Sequence, residues 1–166
     1  GGDAEGAVAD LVRADQVEAA VAAAFGTFGR VDGCYNVAGI SGRRFGDGPI
    51  HACTEEGWDV TLDANVKSLF LVCRAVVGRM REQPIDANGL RGSILNMASI
   101  LGLHPQRDHF STHAYAASKG AILSLSRAMA ATYAPERIRV NAIAPALIRT
   151  PMSRRAQESP EIQALM

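Results

Sequence analysis

One stretch decides the interpretation of this chain: His113-Ala114-Tyr115-Ala116-Ala117-Ser118-Lys119-Gly120. Residues four apart on a helix lie on one face, so Tyr115 and Lys119 are expected to be neighbours one turn apart. A nearby ammonium favours a phenolate, and Lys119 is therefore expected to lower the pKa of Tyr115. A tyrosine tuned in this way can pass a proton to or from an alcohol or carbonyl oxygen. The alternative is an ordinary half-buried tyrosine beside a solvated lysine, because both residue types are common on amphipathic helices.

Further polar residues lie where apolar segments end. Ser99 follows the apolar run 92–98, which is typical of a short buried strand that opens into a loop. A serine at the carboxyl end of a parallel strand lies where open α/β sheets bind their ligands. Upstream, Asn65 interrupts the apolar face of a helix, and another strand ends in Asn36-Val37-Ala38-Gly39. Downstream come Arg139-Val140-Asn141-Ala142-Ile143-Ala144-Pro145 and Ile148-Arg149-Thr150-Pro151-Met152.

In this order, these segments resemble the short-chain dehydrogenase/reductase family over about Ala7 to Met152. The resemblance implies a Rossmann-type fold, a doubly wound parallel sheet in three α/β/α layers. It also implies an oxidoreductase that uses NAD or NADP to transfer hydride between the nicotinamide and a secondary alcohol or ketone. In that reaction Tyr115 is the general acid/base, Ser99 holds the substrate oxygen, and Lys119 binds the nicotinamide ribose. Asn65 holds a water that extends the proton relay.

The same resemblance implies a set of cofactor-binding residues besides Tyr115 and Lys119. Asp10 and Leu11 would contact the adenine, and small residues at a strand end would let the adenosine half lie close to the backbone. Two residues would frame the nicotinamide, and Thr150 would bond its carboxamide or the pyrophosphate. The small strand-end residues are Asn36, Ala38 and Gly39, and the nicotinamide residues are Pro145 and Ile148.

Each assignment has a structural alternative. Ser99 could bond only to its own backbone, Asn65 could bond back to its own helix and bend it, and Asp10 could simply form a turn. Gly39 could be an ordinary turn glycine. For the whole protein, the alternative to an enzyme is a non-catalytic relative that binds a ligand or partner. Such relatives usually lose the tyrosine or the lysine, and this chain has both.

Apolar runs and helical periodicity predict alternating strands and helices, hence βαβ units with right-handed crossovers. The strands are predicted at Ala7–Leu11, Val31–Val37, Ser93–Ala98 and Arg137–Ala142, and the helices at Asp15–Phe28, Glu55–Arg81 (with Thr54 as N-cap) and His113–Ala134. We expect one partial dinucleotide-binding domain over 1–166. Residues 153–166 are expected to be polar and mobile, the start of a substrate lid. The family's first two strands and Gly-rich phosphate loop have no counterpart, which predicts an internal portion of a longer protein.

Composition excludes several partners. Of the 166 residues, 48% are apolar and 20% charged, and the net charge is zero, so no basic field favours nucleic acid or an anionic membrane. No apolar run approaches the length of a transmembrane helix. The odd number of cysteines (Cys34, Cys53, Cys73) and their spacing are typical of small apolar residues in a reducing, cytoplasmic compartment.

Two further expectations follow. Residues 106–112 form a small insertion between Ser99 and Tyr115, flanked by His104, His109 and His113, whose spacing fits no standard metal site; we therefore predict no metal. The two long predicted helices carry more apolar surface than one sheet face covers, and relatives pair these helices across a two-fold axis. The sequence therefore predicts a homo-oligomer, a tetramer.

Overall fold

A computed structural model describes residues 2–164. Its centre is a parallel sheet of three strands in the order β1-β2-β3, and helices occupy the connections. The strands are β1 (Gly33–Asn36), β2 (Gly92–Met97) and β3 (Ile138–Ile143). The helices are α1 (Ala14–Phe28), α2 (Glu55–Leu62), α3 (Ser68–Glu82), α4 (His113–Tyr133), α5 (Arg154–Glu158) and α6 (Pro160–Gln163). The predicted βαβ organisation with a parallel sheet is confirmed.

The register of the strands brings their carboxyl ends to one edge. Asn36 pairs with Asn96, and Asn96 pairs in turn with Ala142. The segments that leave the three strands, which begin at Val37, Ala98 and Ala144, therefore start side by side. This is the edge at which open α/β sheets bind ligands.

One face of the sheet carries the core. Ile94, Ile138 and Val140 are buried together with apolar residues of α3 and α4. Side chains of the opposite face are exposed, Tyr35 to 53% and Ile143 to 39%. Successive right-handed crossovers that advance in one direction place their helices on the same face. Within residues 2–164, no second layer of helices therefore covers the other face of the sheet.

The long predicted helix is present but not uniform. Thr54 caps its start as predicted, since the Thr54 side chain accepts a hydrogen bond of 2.9 Å from the Gly57 N–H. Between α2 and α3 the chain forms one π-helical turn at Asp63–Lys67, in which Asn65 is buried. Such single π-turns inside α-helices often mark functional sites.

One of the predicted strands is absent from the described residues. Ala7–Leu11 is not a strand: it pairs with none of the three strands, and Val8 is fully exposed. An extended segment needs a hydrogen-bonded neighbour, and within residues 2–164 the segment Ala7–Leu11 has no strand paired with it. The segment 153–164, predicted to be polar and mobile, contains the short helices α5 and α6, in which Ala156 and Ile162 are buried. Leu165 and Met166, the last two residues of the predicted lid, lie outside the described residues.

None of the described helices is both long and apolar enough to cross a membrane.

Candidate functional site

Tyr115 and Lys119 lie on the same face of α4, as predicted. The Lys119 Nζ is 5.6 Å from the centroid of the Tyr115 ring. Lys119 is only 4% exposed, and its Nζ donates a hydrogen bond of 2.9 Å to the Met97 carbonyl at the end of β2. The amine is therefore anchored to the carboxyl edge of the sheet.

Ser99 lies next to Tyr115, and the turn that follows it is packed against α4. The Ser99 Oγ accepts a hydrogen bond of 3.2 Å from the Leu101 N–H, so the predicted bond to its own backbone exists as well. A Cβ at Gly102 would lie 2.7 Å from backbone atoms of Lys119 and Gly120, so only glycine allows the turn this close to the helix. The adjacent Ile100 N–H donates to the Pro145 carbonyl at 3.0 Å. The turn thereby joins the segment after β2 to α4 and to the segment after β3.

Burial, and not the charge of the lysine, mainly determines the pKa values of Tyr115 and Lys119. Burial raises the pKa of Tyr115, and the Ser99 side chain acts in the opposite direction. Burial also lowers the pKa of Lys119 to about 8. The prediction that Lys119 lowers the Tyr115 pKa is wrong for this conformation. The Nζ lies over the ring and is bonded to Met97, and both groups are taken out of water, which favours their neutral forms.

Asn65 ties two other segments to the site. Its Oδ1 accepts from the Ile40 N–H at 2.8 Å, and its Nδ2 donates to the Ile40 carbonyl at 3.0 Å and to the Ser118 Oγ at 2.9 Å. The alternative in which the Asn65 side chain bonds back to its own helix is therefore wrong. A Cβ at Gly39 would lie 2.9 Å from the Asn65 Oδ1 and 3.5 Å from the Lys119 Nζ. Gly39 is needed for this close approach.

Asp47 was not found by sequence reasoning, although it fixes the start of the tyrosine helix. Its carboxylate is 6% exposed and accepts hydrogen bonds of 3.0 Å from the backbone N–H groups of Ala114 and Tyr115. Thr112, the residue before α4, forms no side-chain cap, and the His113 N–H donates to the Gly48 carbonyl at 3.0 Å. The loop after β1 therefore caps α4 from a distance. The Asp47-Gly48-Pro49 sequence looks like an ordinary turn, so no local signal reveals this role.

A chain of buried polar side chains runs beneath the sheet. The Asn36 Nδ2 donates to the Asn96 Oδ1 at 2.9 Å and to the Cys73 Sγ at 3.3 Å, and the Asn96 Nδ2 donates to the Ser126 Oγ at 2.9 Å. The Asn36 side chain thus faces the helical layer, so only its backbone borders the cleft. Burial raises the pKa of Cys34 to about 11 and of Cys73 to about 12, so both thiols stay protonated and unreactive at neutral pH.

Five of the predicted cofactor residues lie in the segments that leave β1 and β3 at the carboxyl edge of the sheet. Ala38 and Gly39 follow β1, while Pro145, the exposed Ile148 and Thr150 follow β3.

Asp10 and Leu11 lie in the segment before α1, which pairs with none of the three strands. The Asp10 Oδ1 accepts from the Val12 N–H at 3.1 Å, which is the turn-forming alternative. Leu11 packs on the small apolar cluster of Val17, Leu71 and Ala75.

The predicted insertion forms one wall of a cavity of about 450 Å³ beside the site. Leu101, two residues after Ser99, and Ala116, which follows Tyr115, also line it. The lining residues are Pro49, Leu101, Pro105, Gln106, Arg107, Phe110, Ser111, His113 and Ala116. His104, His109 and His113 are not brought together, and within residues 2–164 no three His, Cys, Asp or Glu side chains are grouped so that they could hold a metal.

The Asp47 cap yields a prediction. Asp47→Ala should destabilise the fold by roughly 1–3 kcal/mol, because two buried backbone N–H groups lose their acceptor. Asp47→Asn keeps one acceptor oxygen and should cost less. Urea unfolding measures the stability, and hydrogen exchange at Ala114 and Tyr115 locates the change. Asp63→Ala is the control, because the Asp63–Lys67 ion pair is half exposed and should contribute under about 1 kcal/mol. Unchanged exchange in Asp47→Ala would contradict the capping role.

The lowered pKa of Lys119 yields a second prediction. Between about pH 8 and its ordinary value of 10.5, the unfolded state binds more protons at this group than the folded state does. The contribution of Lys119 to stability therefore rises with pH in that window, by at most roughly 3 kcal/mol. Tyr115, Cys34 and Cys73 act in the opposite direction, because their pKa values are raised. We expect the unfolding free energy of wild type minus that of Lys119→Met to be constant below pH 8 and to increase from pH 8 to 10. A flat difference across this range would refute the assignment.

Comparison with known proteins identifies relatives of this chain. The family described as enoyl-(acyl carrier protein) reductase matches residues 1–166. The 2-(R)-hydroxypropyl-CoM dehydrogenase of Xanthobacter autotrophicus is 38% identical over 157 residues, which cover 93% of this chain and 58% of the relative. The human 3-hydroxyacyl-CoA dehydrogenase type-2 is 39% identical over 150 residues, which cover 88% of this chain and 56% of the relative. The chain thus spans somewhat over half the length of these relatives.

Solved structures show the same fold. The crystal structure of gox2181 matches with a TM-score of 0.85 and 32% identity, covering 96% of this chain and 58% of that one. The crystal structure of levodione reductase matches with a TM-score of 0.79 and 33% identity, covering 95% of this chain and 58% of that one. NAD+-bound xylitol dehydrogenase matches with a TM-score of 0.77 and 31% identity, covering 95% of this chain and 55% of that one. The Rossmann-type fold, the family match and the named relatives agree: this chain belongs to the short-chain dehydrogenase/reductase family.

Proposed function

We propose that the protein is an NAD(P)-dependent oxidoreductase that transfers hydride between a nicotinamide cofactor and a secondary alcohol or ketone. The proposal rests on one observation: Tyr115, Ser99 and Lys119 lie together at the carboxyl edge of the sheet. The relatives named above are dehydrogenases and a reductase, which supports the same class of reaction. All four residues of the proposed catalytic set are present, and this argues against a non-catalytic binding protein.

The residues at the edge suit a dinucleotide. Gly39 leaves open the space that a Cβ would fill beside Asn65 and Lys119, and Ala38 adds only a methyl group. Pro145, Ile148 and Thr150 would hold the nicotinamide end, and Lys119 the ribose hydroxyls. We also propose that Asp10 and Leu11 contact the adenine of the cofactor. The cofactor, when bound, supplies or accepts the hydride, and one relative's structure contains NAD+.

Tyr115 performs the proton transfer in this proposal. Its raised pKa keeps the phenol protonated at neutral pH, as a proton donor to a ketone oxygen requires. Ser99 holds that oxygen by a hydrogen bond within reach of the phenol. In the direction of alcohol oxidation the phenol must first lose its proton, so this direction should be favoured at higher pH.

Asn65 and Lys119 lie on the path by which the proton is replaced. A Cβ built at Gly39 would lie 2.9 Å from the Asn65 Oδ1 and 3.5 Å from the Lys119 Nζ, so these two polar groups border the space beside this glycine. We propose that a water held there connects Lys119 to the outside. The Asn65 amide also keeps the Gly39–Ile40 segment in place, which preserves this space.

The test of the proposed function is Tyr115→Phe in the full-length protein. It should lower kcat for a ketone by roughly 10²-fold or more, because it removes only the transferable proton. Tyr133→Phe, at the far end of the same helix, is the control and should keep wild-type turnover. The assays are run with NADH and with NADPH, and thermal shift with each dinucleotide identifies the cofactor. More than half of the activity left in Tyr115→Phe would refute the role.

We further propose a cytoplasmic homo-oligomer, a tetramer assembled through the outer faces of α2–α3 and α4. The support is apolar surface on these helices: Trp58 is 40% and Phe70 45% exposed. Light scattering at micromolar concentration should give the mass of four subunits, and Phe70→Glu should give smaller species. Phe28→Glu on α1, a residue 49% exposed, is the control and should leave the mass unchanged. A monomeric wild type would exclude the proposal.

A further inference from the structure

Two arginines from distant segments meet at one carbonyl. The Arg43 Nη2 donates to the His109 carbonyl oxygen at 2.8 Å, and the Arg155 Nη2 donates to the same oxygen at 2.7 Å. Arg43 lies in the loop after β1, Arg155 lies in α5, and His109 belongs to the insertion. Three segments thus converge, and two positive charges are held beside each other.

Within the part of the chain that the structure describes, these two charges are not matched by a carboxylate. Among the described residues neither Arg43 nor Arg155 forms a salt bridge, although six other such pairs are present. Burial and the proximity of Arg155 lower the pKa of Arg43, and the more distant Asp47 opposes this only in part. The Asp47 carboxylate is already used by the N–H groups of α4. Placing like charges together costs free energy, which a bound anion would offset.

The pair lies beside the cavity described above. The Arg155 guanidinium lies 5.6 Å from the centroid of the Phe110 ring, and Phe110 lines the cavity beside Tyr115. Arg43 is coupled electrostatically to Asp47, whose carboxylate bonds to the Tyr115 N–H. A substrate held in this cavity would therefore have the arginine pair behind its Phe110 wall.

We propose that Arg43 and Arg155 bind an anionic group of the substrate, so that the enzyme acts on secondary alcohols or ketones that carry a carboxylate, sulfonate or phosphate. This inference rests on the proposed function and names the substrate class for the same site. Each guanidinium has five N–H donors in a planar fork and uses only one of them on His109, so donors remain for an oxyanion. Because Arg155 lies in α5, the anion would also join this helix to the loop after β1.

The experiment compares charged and neutral ketones on the full-length enzyme. The substrates are 3-oxobutanoate, 4-oxopentanoate and 5-oxohexanoate, each beside its methyl ester, so that the distance between ketone and charge varies. The enzymes are wild type, Arg43→Gln and Arg155→Gln. Arg44→Gln is the matched control, because Arg44 is the next residue and its guanidinium lies over the Phe45 ring at 4.6 Å, away from the pair.

At one chain length, wild type should prefer the acid over its ester by roughly 10-fold or more in kcat/KM, the effect of a charged hydrogen bond. Arg43→Gln and Arg155→Gln should each remove most of that preference by raising KM for the acid. Arg44→Gln should keep it, and added salt should weaken it in wild type. If the esters turn over but no acid is preferred, or if both variants keep the preference, the inference is overturned while the proposed function stands.

Binding of the three acids is measured by titration calorimetry in parallel, independently of turnover. If no ketone of either kind reacts, the proposed function fails. The calorimetry then tests by itself whether Arg43 and Arg155 bind an anion. Binding that is lost in Arg43→Gln and Arg155→Gln but kept in Arg44→Gln supports the site. Equal binding in all variants, or none in wild type, overturns it.

Discussion

The rest of the site depends on the hydrogen bonds that the side-chain amide of Asn65 makes. Its three hydrogen bonds join the segment after β1, the π-turn between α2 and α3, and Ser118 on the tyrosine helix. A buried amide that loses its partners costs more than the bonds contribute when formed, so the three segments are held as one unit. The extra residue in the π-turn coincides with the position at which this amide points inward.

The parts of the site that the sequence predicted are those governed by local rules. The spacing of Tyr115 and Lys119 on a helix, the position of Ser99 after a strand, and the Thr54 cap all follow from neighbours in the chain. Asp47 was missed because it acts on α4 across 67 and 68 residues, and nothing near it reveals the target. Ala7–Leu11 has the composition of a strand, but a strand also needs a neighbour, which composition does not show. The helices α5 and α6 were missed although Ser159-Pro160 is an ordinary helix start.

Burial of a weak acid and of a weak base has opposite effects on their pKa values but the same effect on their charge. It raises the pKa of Tyr115 and lowers that of Lys119, so both are pushed toward neutrality. The expectation of a phenolate stabilised by an ammonium assumed that both remain charged. In this conformation the lysine is bonded to Met97, and its effect on the phenol depends on what else occupies the edge.

The polar chain beneath the sheet has a consequence for how the strands align. Asn36 and Asn96 stand opposite each other on neighbouring parallel strands, and their side chains bond at 2.9 Å on the buried face. If β1 slipped by one residue against β2, Asn36 would turn to the other face and leave the Asn96 amide buried without this partner. An apolar pair at these positions would tolerate such a slip far better. The hydrogen bond between the two asparagines thus fixes the register of β1 against β2. The register sets where each strand ends and so brings Gly39 and Ser99 to the same level of the sheet.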